Sequence, residues 1–249
     1  MRKLTLGIVL AACLLSAAPL FALRTDGSPV IIPVIGRFPG AGGTQWRTDV
    51  FLHNAYEPAQ VFTLKYYPTG GAVIERTTTV QKYSSSILND IVLNTFGLTN
   101  SGGVLEVSGA RVLARARIYN SGNAAGEFGQ GVPGIGLDLL SRQAFLFGLS
   151  GTSGNRVNIG VANPNDVPVT VNIYIAEAQG LGVYGFNPTI PPHSYVQYSD
   201  IFNAYGLPAS AILQVDMSSA GGLPIYGYSS EVRNDTGDAV FNFGTNPNS

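Results

Sequence analysis

The chain has 249 residues, with 14 Lys and Arg against 15 Asp and Glu, two histidines and one cysteine. Its net charge of −1 and low charged fraction of 12% exclude a general nucleic-acid binder, and a lone cysteine excludes a disulfide framework or a thiolate metal cluster. The 31 glycines and 15 prolines are scattered between short apolar stretches, the punctuation of many short strands joined by tight turns.

Two positive charges, Arg2 and Lys3, precede an apolar run from Leu4 to Phe21, and small residues crowd positions 17–22. This is the pattern of a secretory signal peptide, and it places cleavage after Ala22. As a membrane anchor the run is only marginally long enough to span a bilayer. Leu10-Ala11-Ala12-Cys13 offers a second route, lipidation at Cys13 as in bacterial lipoproteins, but apolar residues continue to Leu23 where lipoproteins turn polar. Cleavage at Ala22 leaves no cysteine and no membrane span. It also leaves 12 basic residues against 15 acids, a net charge near −3. The expectation is a secreted, extracellular or periplasmic bacterial protein held by its core alone.

Beyond the signal, the sequence says nearly the same thing twice. Thr48–Asn54 reads like Val157–Asn163, with Asn54 and Asn163 standing 109 residues apart. Val80 lines up with Ile190, Asp90-Ile91 with Asp200-Ile201, Phe96-Gly97-Leu98 with Tyr205-Gly206-Leu207, and Leu105-Glu106-Val107 with Leu213-Gln214-Val215. Phe62, Leu64 and Tyr66 alternate with Val61, Thr63 and Lys65. Val112, Ala114, Ala116 and Ile118 alternate with Arg111, Leu113, Arg115 and Arg117. Val169, Val171, Ile173 and Ile175 alternate with polar residues in the second copy, as do Leu213, Val215 and Met217. A period of two puts each set on one face of a pleated strand. Ser86–Leu93 and Ser199–Phe202 read as short helices ended at Gly97 and Gly206, with Asp90 and Asp200 as N-terminal capping groups. The expected fold is all-β: two tandem immunoglobulin-like β-sandwich modules, each with a short helix plug. The expected boundaries are a signal over 1–22, a first module over 23–125, a linker over 126–143 and a second module over 144–249. The linker's aromatic and Val content predicts that the modules pack on each other.

Ile32-Pro33, then Gln45-Trp46-Arg47-Thr48-Asp49, Leu52-His53-Asn54, and Ala116-Arg117-Ile118-Tyr119-Asn120 running into Gly126-Glu127-Phe128-Gly129-Gln130 resemble modules of uncharacterised secreted bacterial proteins built of immunoglobulin-like β-sandwich repeats. The resemblance implies the fold and the address. It implies no catalytic residue, and the second copy departs from it at Asn155 and Ala162, where the first has Trp46 and His53.

Candidate chemistry is sparse. His53 and His193 sit in no nucleophile elbow, metal helix or His-x-His pair, so no catalytic or metal residue is assigned. Asn234-Asp235-Thr236-Gly237-Asp238 is an acidic turn whose Asp235 and Asp238 are the one Ca²⁺ candidate, against plain turn chemistry; no other cofactor is expected. Arg111, Arg115 and Arg117 form a basic stripe suited to an acidic glycan or a carboxylate-rich partner, or to guarding an exposed edge strand. Trp46 beside Arg47 suits ring stacking on a ligand or a half-buried lid on the core. These five residues are the expected contacts of a non-enzymatic protein for surface structure, adhesion or recognition. Its partner would be a surface glycan or another envelope protein. The alternatives are a carbohydrate-binding protein and a glycan-active hydrolase using two of Asp49, Glu57, Glu106 and Asp138. An outer-membrane barrel fits the strand pattern less well, because the chain ends Asn-Pro-Asn-Ser.

Overall fold

The computed structural model describes residues 27–40, 43–124, 126–152, 154–178 and 182–246. The expected signal, with Cys13 and the cut after Ala22, lies outside the described residues. The first half runs β1 (Val30–Pro39), β2 (Gln45–Asn54), β3 (Gln60–Pro68), β4 (Ile74–Val80), β5 (Ser84–Leu88), α1 (Ile91–Asn94), β6 (Ser101–Ser108), β7 (Leu113–Asn120), β8 (Phe128–Pro133) and β9 (Ile135–Gly136), closing on a 3-10 turn at Leu137–Leu139. The second half runs β10 (Gln143–Ser150), β11 (Asn155–Asn163), β12 (Val169–Glu177), β13 (Gly182–Phe186), β14 (Thr189–Ile190), β15 (Ser194–Tyr198), α2 (Ile201–Ala204), β16 (Ile212–Ser219), β17 (Tyr226–Arg233) and β18 (Ala239–Phe243).

The protein is all-β, built of open antiparallel sheets in a β-sandwich-like arrangement. In the first half β4-β3-β6-β1 forms one layer and β5-β2-β7-β8 the other; β1 joins them by pairing with β6 along most of its length and with β2 at Phe38 and Pro39. In the second half the layers are β13-β12-β16-β10 and β15-β11-β17-β18. Among the described residues no sheet closes on itself, and no helix is long and apolar enough to cross a membrane.

The period-two pattern decides which side chains fill the cores. Phe62, Leu64 and Tyr66 of β3 are fully buried against Val50 and Leu52 of β2, while Val157, Ile159 and Val161 of β11 meet Val171, Ile173 and Ile175 of β12 in a second cluster. Each such apolar side chain contributes about 1.5–3 kcal/mol by leaving water.

Three expectations are corrected. Residues 128–133, read as linker, form β8, which pairs with β7 from Arg115 to Asn120, and Ile135-Gly136 pairs with β1. Half of the expected linker is therefore strand. Ser86–Leu88, read as helix, is strand, because its backbone completes the ladder with Val50–Leu52 of β2. Each helix is a single turn ending at a glycine with positive φ, Gly97 at 73° and Gly206 at 64°, where a Cβ would be strained. Asp90 and Asp200 do occupy the positions before these turns, but neither side chain caps; both backbones are left-handed, with φ of 42° and 48°.

The halves pack on each other. Tyr226, Tyr228 and Ala162 belong to the first half's core cluster rather than their own. The Tyr226 hydroxyl donates to the Pro133 carbonyl at 2.8 Å, and the Ser230 hydroxyl donates to Gln130 Oε1 at 2.8 Å. Tyr67 stacks on His193 with centroids 4.1 Å apart. The side chains of Tyr66, Tyr226 and Tyr228 are buried.

Candidate functional site

Strand β2 has two faces. Thr48, Val50 and Leu52 point into the core, so Arg47, Asp49, Phe51 and His53 point out. Register places Phe51 between Ile87 of β5 and Arg115 of β7, and His53 between Ser85 and Leu113; Arg115 in turn faces Pro133 of β8. These outward residues line an open groove of about 780 Å³ whose floor and far end are apolar: Phe51, Ile87, Leu113, Pro133, Ile135 and Leu139. Ile87 and Leu139 are each about half exposed, at 53% and 51%. An exposed apolar hollow of this kind marks a binding surface more often than an accident of composition.

The three arginines of the expected stripe do line up before and along β7, but each covers a ring. The guanidinium carbon of Arg111 lies 4.0 Å from the Tyr56 centroid, that of Arg115 4.5 Å from Phe51, and that of Arg117 4.5 Å from Tyr119. Arg117 also pairs with Glu127 at 3.2 Å. Arg115 borders the apolar groove, so its charge, lying over the Phe51 ring, forms the groove's polar edge.

Trp46 does not share this face. It alternates with Arg47 along β2, packs half-buried on the core and pairs with Phe38 across β1, beside a shallow hollow of about 90 Å³. Arg47 is turned to the outward side by register, borders the same small hollow as Trp46, and is committed to structure: it holds the Asp90 carboxylate at 2.7 Å, and Arg37 binds the same oxygen. Asp49 accepts the Asp90 backbone N–H at 2.8 Å and the Tyr119 hydroxyl at 3.3 Å. The matching bond in the second half is made by a neutral amide, with Asn158 Oδ1 accepting the Asp200 N–H at 3.0 Å. Burial, then the charge of Asp49, pushes the Tyr119 hydroxyl up to about 12.

His53 Nδ1 and Ser85 Oγ are cross-strand neighbours at 2.9 Å, and among the described residues no carboxylate orients that ring. His193 meets Asp166 at 2.7 Å. The four acids weighed for hydrolysis sit on separate elements: Asp49 on β2, Glu57 in the following turn beside Lys82, Glu106 on β6 beside Lys65, and Asp138 in the 3-10 turn. In the β17–β18 turn Arg233 grips Asp235 through two bonds of 3.1 and 2.9 Å, which lowers that carboxyl's pKa. Asp238 donates its backbone N–H to Thr236 instead of meeting Asp235. Among the described residues no three His, Cys, Asp or Glu side chains gather at metal-binding distance.

The groove residues Phe51, Ile87, Leu113 and Pro133 were not singled out from sequence. The signal for two of them was present, since strict alternation in β2 and β7 turns Phe51 and Leu113 outward; Ile87 was hidden by the helical reading of its segment. No protein-family model matches the chain, and no curated protein matches it.

Proposed function

We propose that this is a non-enzymatic secreted or cell-envelope protein of two tandem immunoglobulin-like modules, acting in surface structure, adhesion or recognition through the open face of β5-β2-β7-β8. The module reading is supported by the strand order: β4-β3-β6-β1 with β5-β2-β7-β8 in one half, β13-β12-β16-β10 with β15-β11-β17-β18 in the other, each with one helical turn directly after the edge strand β5 or β15. The single observation behind the functional reading is the groove, an apolar hollow edged by Arg115 on a rigid sheet. The test is retention of the purified chain on isolated bacterial envelopes and on a panel of surface glycans. Retention should be lost in Ile87→Glu, which puts charge on the exposed floor. Equal retention of both proteins, or release of cleaved glycan, would overturn the reading.

A further inference from the structure

The face that carries the groove has a counterpart in the second half, and there it is covered. In β15-β11-β17-β18 the side chains pointing away from their own core are Gly160 and Ala162 of β11, Tyr226 and Tyr228 of β17, and Phe241 and Phe243 of β18. They hold the same register positions as Phe51 and His53, Leu113 and Arg115, and Gly131 and Pro133 in the first half. Every one of these second-half side chains larger than glycine packs against the first half's core cluster.

What they cover is the outer side of β1, β6 and β3, together with the edge strand β8, where Pro133 and Gln130 accept from Tyr226 and Ser230. Ile31 and Val104 point away from the first half's own core by register, yet both are fully buried. Tyr67 on the same side stacks on His193, and a Cβ on Gly102 would lie 2.9 Å from the Tyr195 hydroxyl. The protein therefore already contains one contact in which the outer β5-β2-β7-β8-type face of one half lies on the outer β3-β6-β1-type face of the other. That contact joins two different surfaces, so it leaves one of each unused. The first half keeps its groove open, with Phe243 of β18 at its margin. The second half keeps the outer face of β10-β16-β12-β13, and that face is apolar where Phe147, Ile212 and Tyr174 are 74%, 51% and 49% exposed. Asp216 lies between Phe145 and Tyr174 on this face, as Glu106 lies between Ile31 and Lys65 on the covered one. Glu106 has Lys65 as a partner at 3.8 Å. Asp216 has no basic partner among the described residues, and its Oδ1 is buried without a hydrogen bond. Across the molecule, Arg115 at the groove edge has no carboxylate partner among the described residues.

We infer that copies of this chain associate head to tail, the open β5-β2-β7-β8 face of one receiving the outer β10-β16-β12-β13 face of the next. The arrangement repeats between molecules the contact already made between the halves, with an arginine on one face and an acid on the other that have no charged partner among the described residues. Because the contact joins unlike surfaces, it propagates into an open row rather than closing as a two-fold dimer. The inference names a second copy as the partner of the proposed recognition face, and so rests on that reading.

The test uses sedimentation and light scattering of the full chain over a concentration series, with Ile87→Glu and Phe147→Glu made separately. Both side chains are more than half exposed, so folding is kept, and melting curves check this. The wild type should grow in mass with concentration. Each variant alone should stay monomeric, because each retains only one usable face. Their equimolar mixture should stop at a dimer, joining the intact groove of one to the intact Phe147 face of the other. A wild type that stays monomeric, a variant that associates like the wild type, or a mixture that stays monomeric would each overturn the inference. Loss of envelope retention in Ile87→Glu with a monomeric wild type would defeat self-association and leave the recognition reading standing. The complementing dimer with unchanged retention would do the reverse.

Discussion

Arg115 and Phe51 face each other across β7 and β2, with the guanidinium carbon 4.5 Å above the ring. Among the described residues the cation is held by the ring's negative face and by no carboxylate, so it remains available to a partner. Arg115→Met keeps an apolar stem over Phe51 and removes the charge. Stability should fall by no more than about 1 kcal/mol in chemical denaturation. Association should lose its salt dependence, read by repeating the concentration series at low and high ionic strength.

Asn54 and Asn163 are fully buried and do the same work in each half. Asn54 donates to the Pro58 and Val80 carbonyls at 3.0 and 3.3 Å and accepts from the Tyr56 N–H. Asn163 donates to Val167, Ile190 and Pro191 and accepts from the Asn165 N–H. Replacing either with Ala strands several buried polar groups, and the expected loss is about 3 kcal/mol, larger for Asn163. Equilibrium unfolding of the two variants measures it.

Gly160 stands where the equivalent register position in the first half holds Phe51. A Cβ there would lie 2.2 Å from the Tyr228 ring, which is buried between the halves. Gly160→Ala should cost about 1–3 kcal/mol by forcing that ring to move. Amide exchange should show the effect at both β17 and β1, since the displaced ring sits in the first half's core cluster. Exchange that speeds only within the second half would contradict the packing described.

Burial pushes the hydroxyls of Tyr66, Tyr67 and Tyr119 up to about 12 from an ordinary 10.0. The folded state then keeps protons that the unfolded state gives up, so this stability is complete below the unfolded value and is lost as pH rises through the folded one. The protein should therefore weaken between about pH 10 and 12. Asp49→Asn keeps an acceptor for the Asp90 N–H, as Asn158 does in the other half, and removes the charge that adds to the shift at Tyr119. It should be tolerated within about 1 kcal/mol at neutral pH and should bring one tyrosine's ultraviolet titration to lower pH.

Much of the local structure was legible in the residues. Alternation in β3, β7, β12 and β16 names the inward side chains correctly, because a pleated strand allows only two faces. It also turns Arg111, Arg115 and Arg117 to one side. The helix at Ser86–Leu93 was misplaced because Ser84–Leu88 is short and polar enough to suit either structure; its ladder with β2, set by residues more than thirty positions away, decided for strand. Trp46 and Arg47 were paired by adjacency; they do border one small hollow, but Trp46 packs on the core and Arg47 holds Asp90, so neither joins the groove.

What the sequence by itself determined is the inside of each layered half: which residues face the core, where the turns fall, and that no cluster of catalytic side chains is written into one stretch of chain. What tertiary structure alone decided is the fate of the outer faces. A strand's alternation says which side chains leave its own core; it does not say whether they meet water or another sheet. Tyr226 and Tyr228 meet another sheet, because the second half lies on the first, while Phe51 and Ile87 line the open groove, which among the described residues the second half reaches at Phe243. Ile31 and Val104 carry the same lesson from the other side, being apolar on an outward face that only the docking of the halves keeps dry.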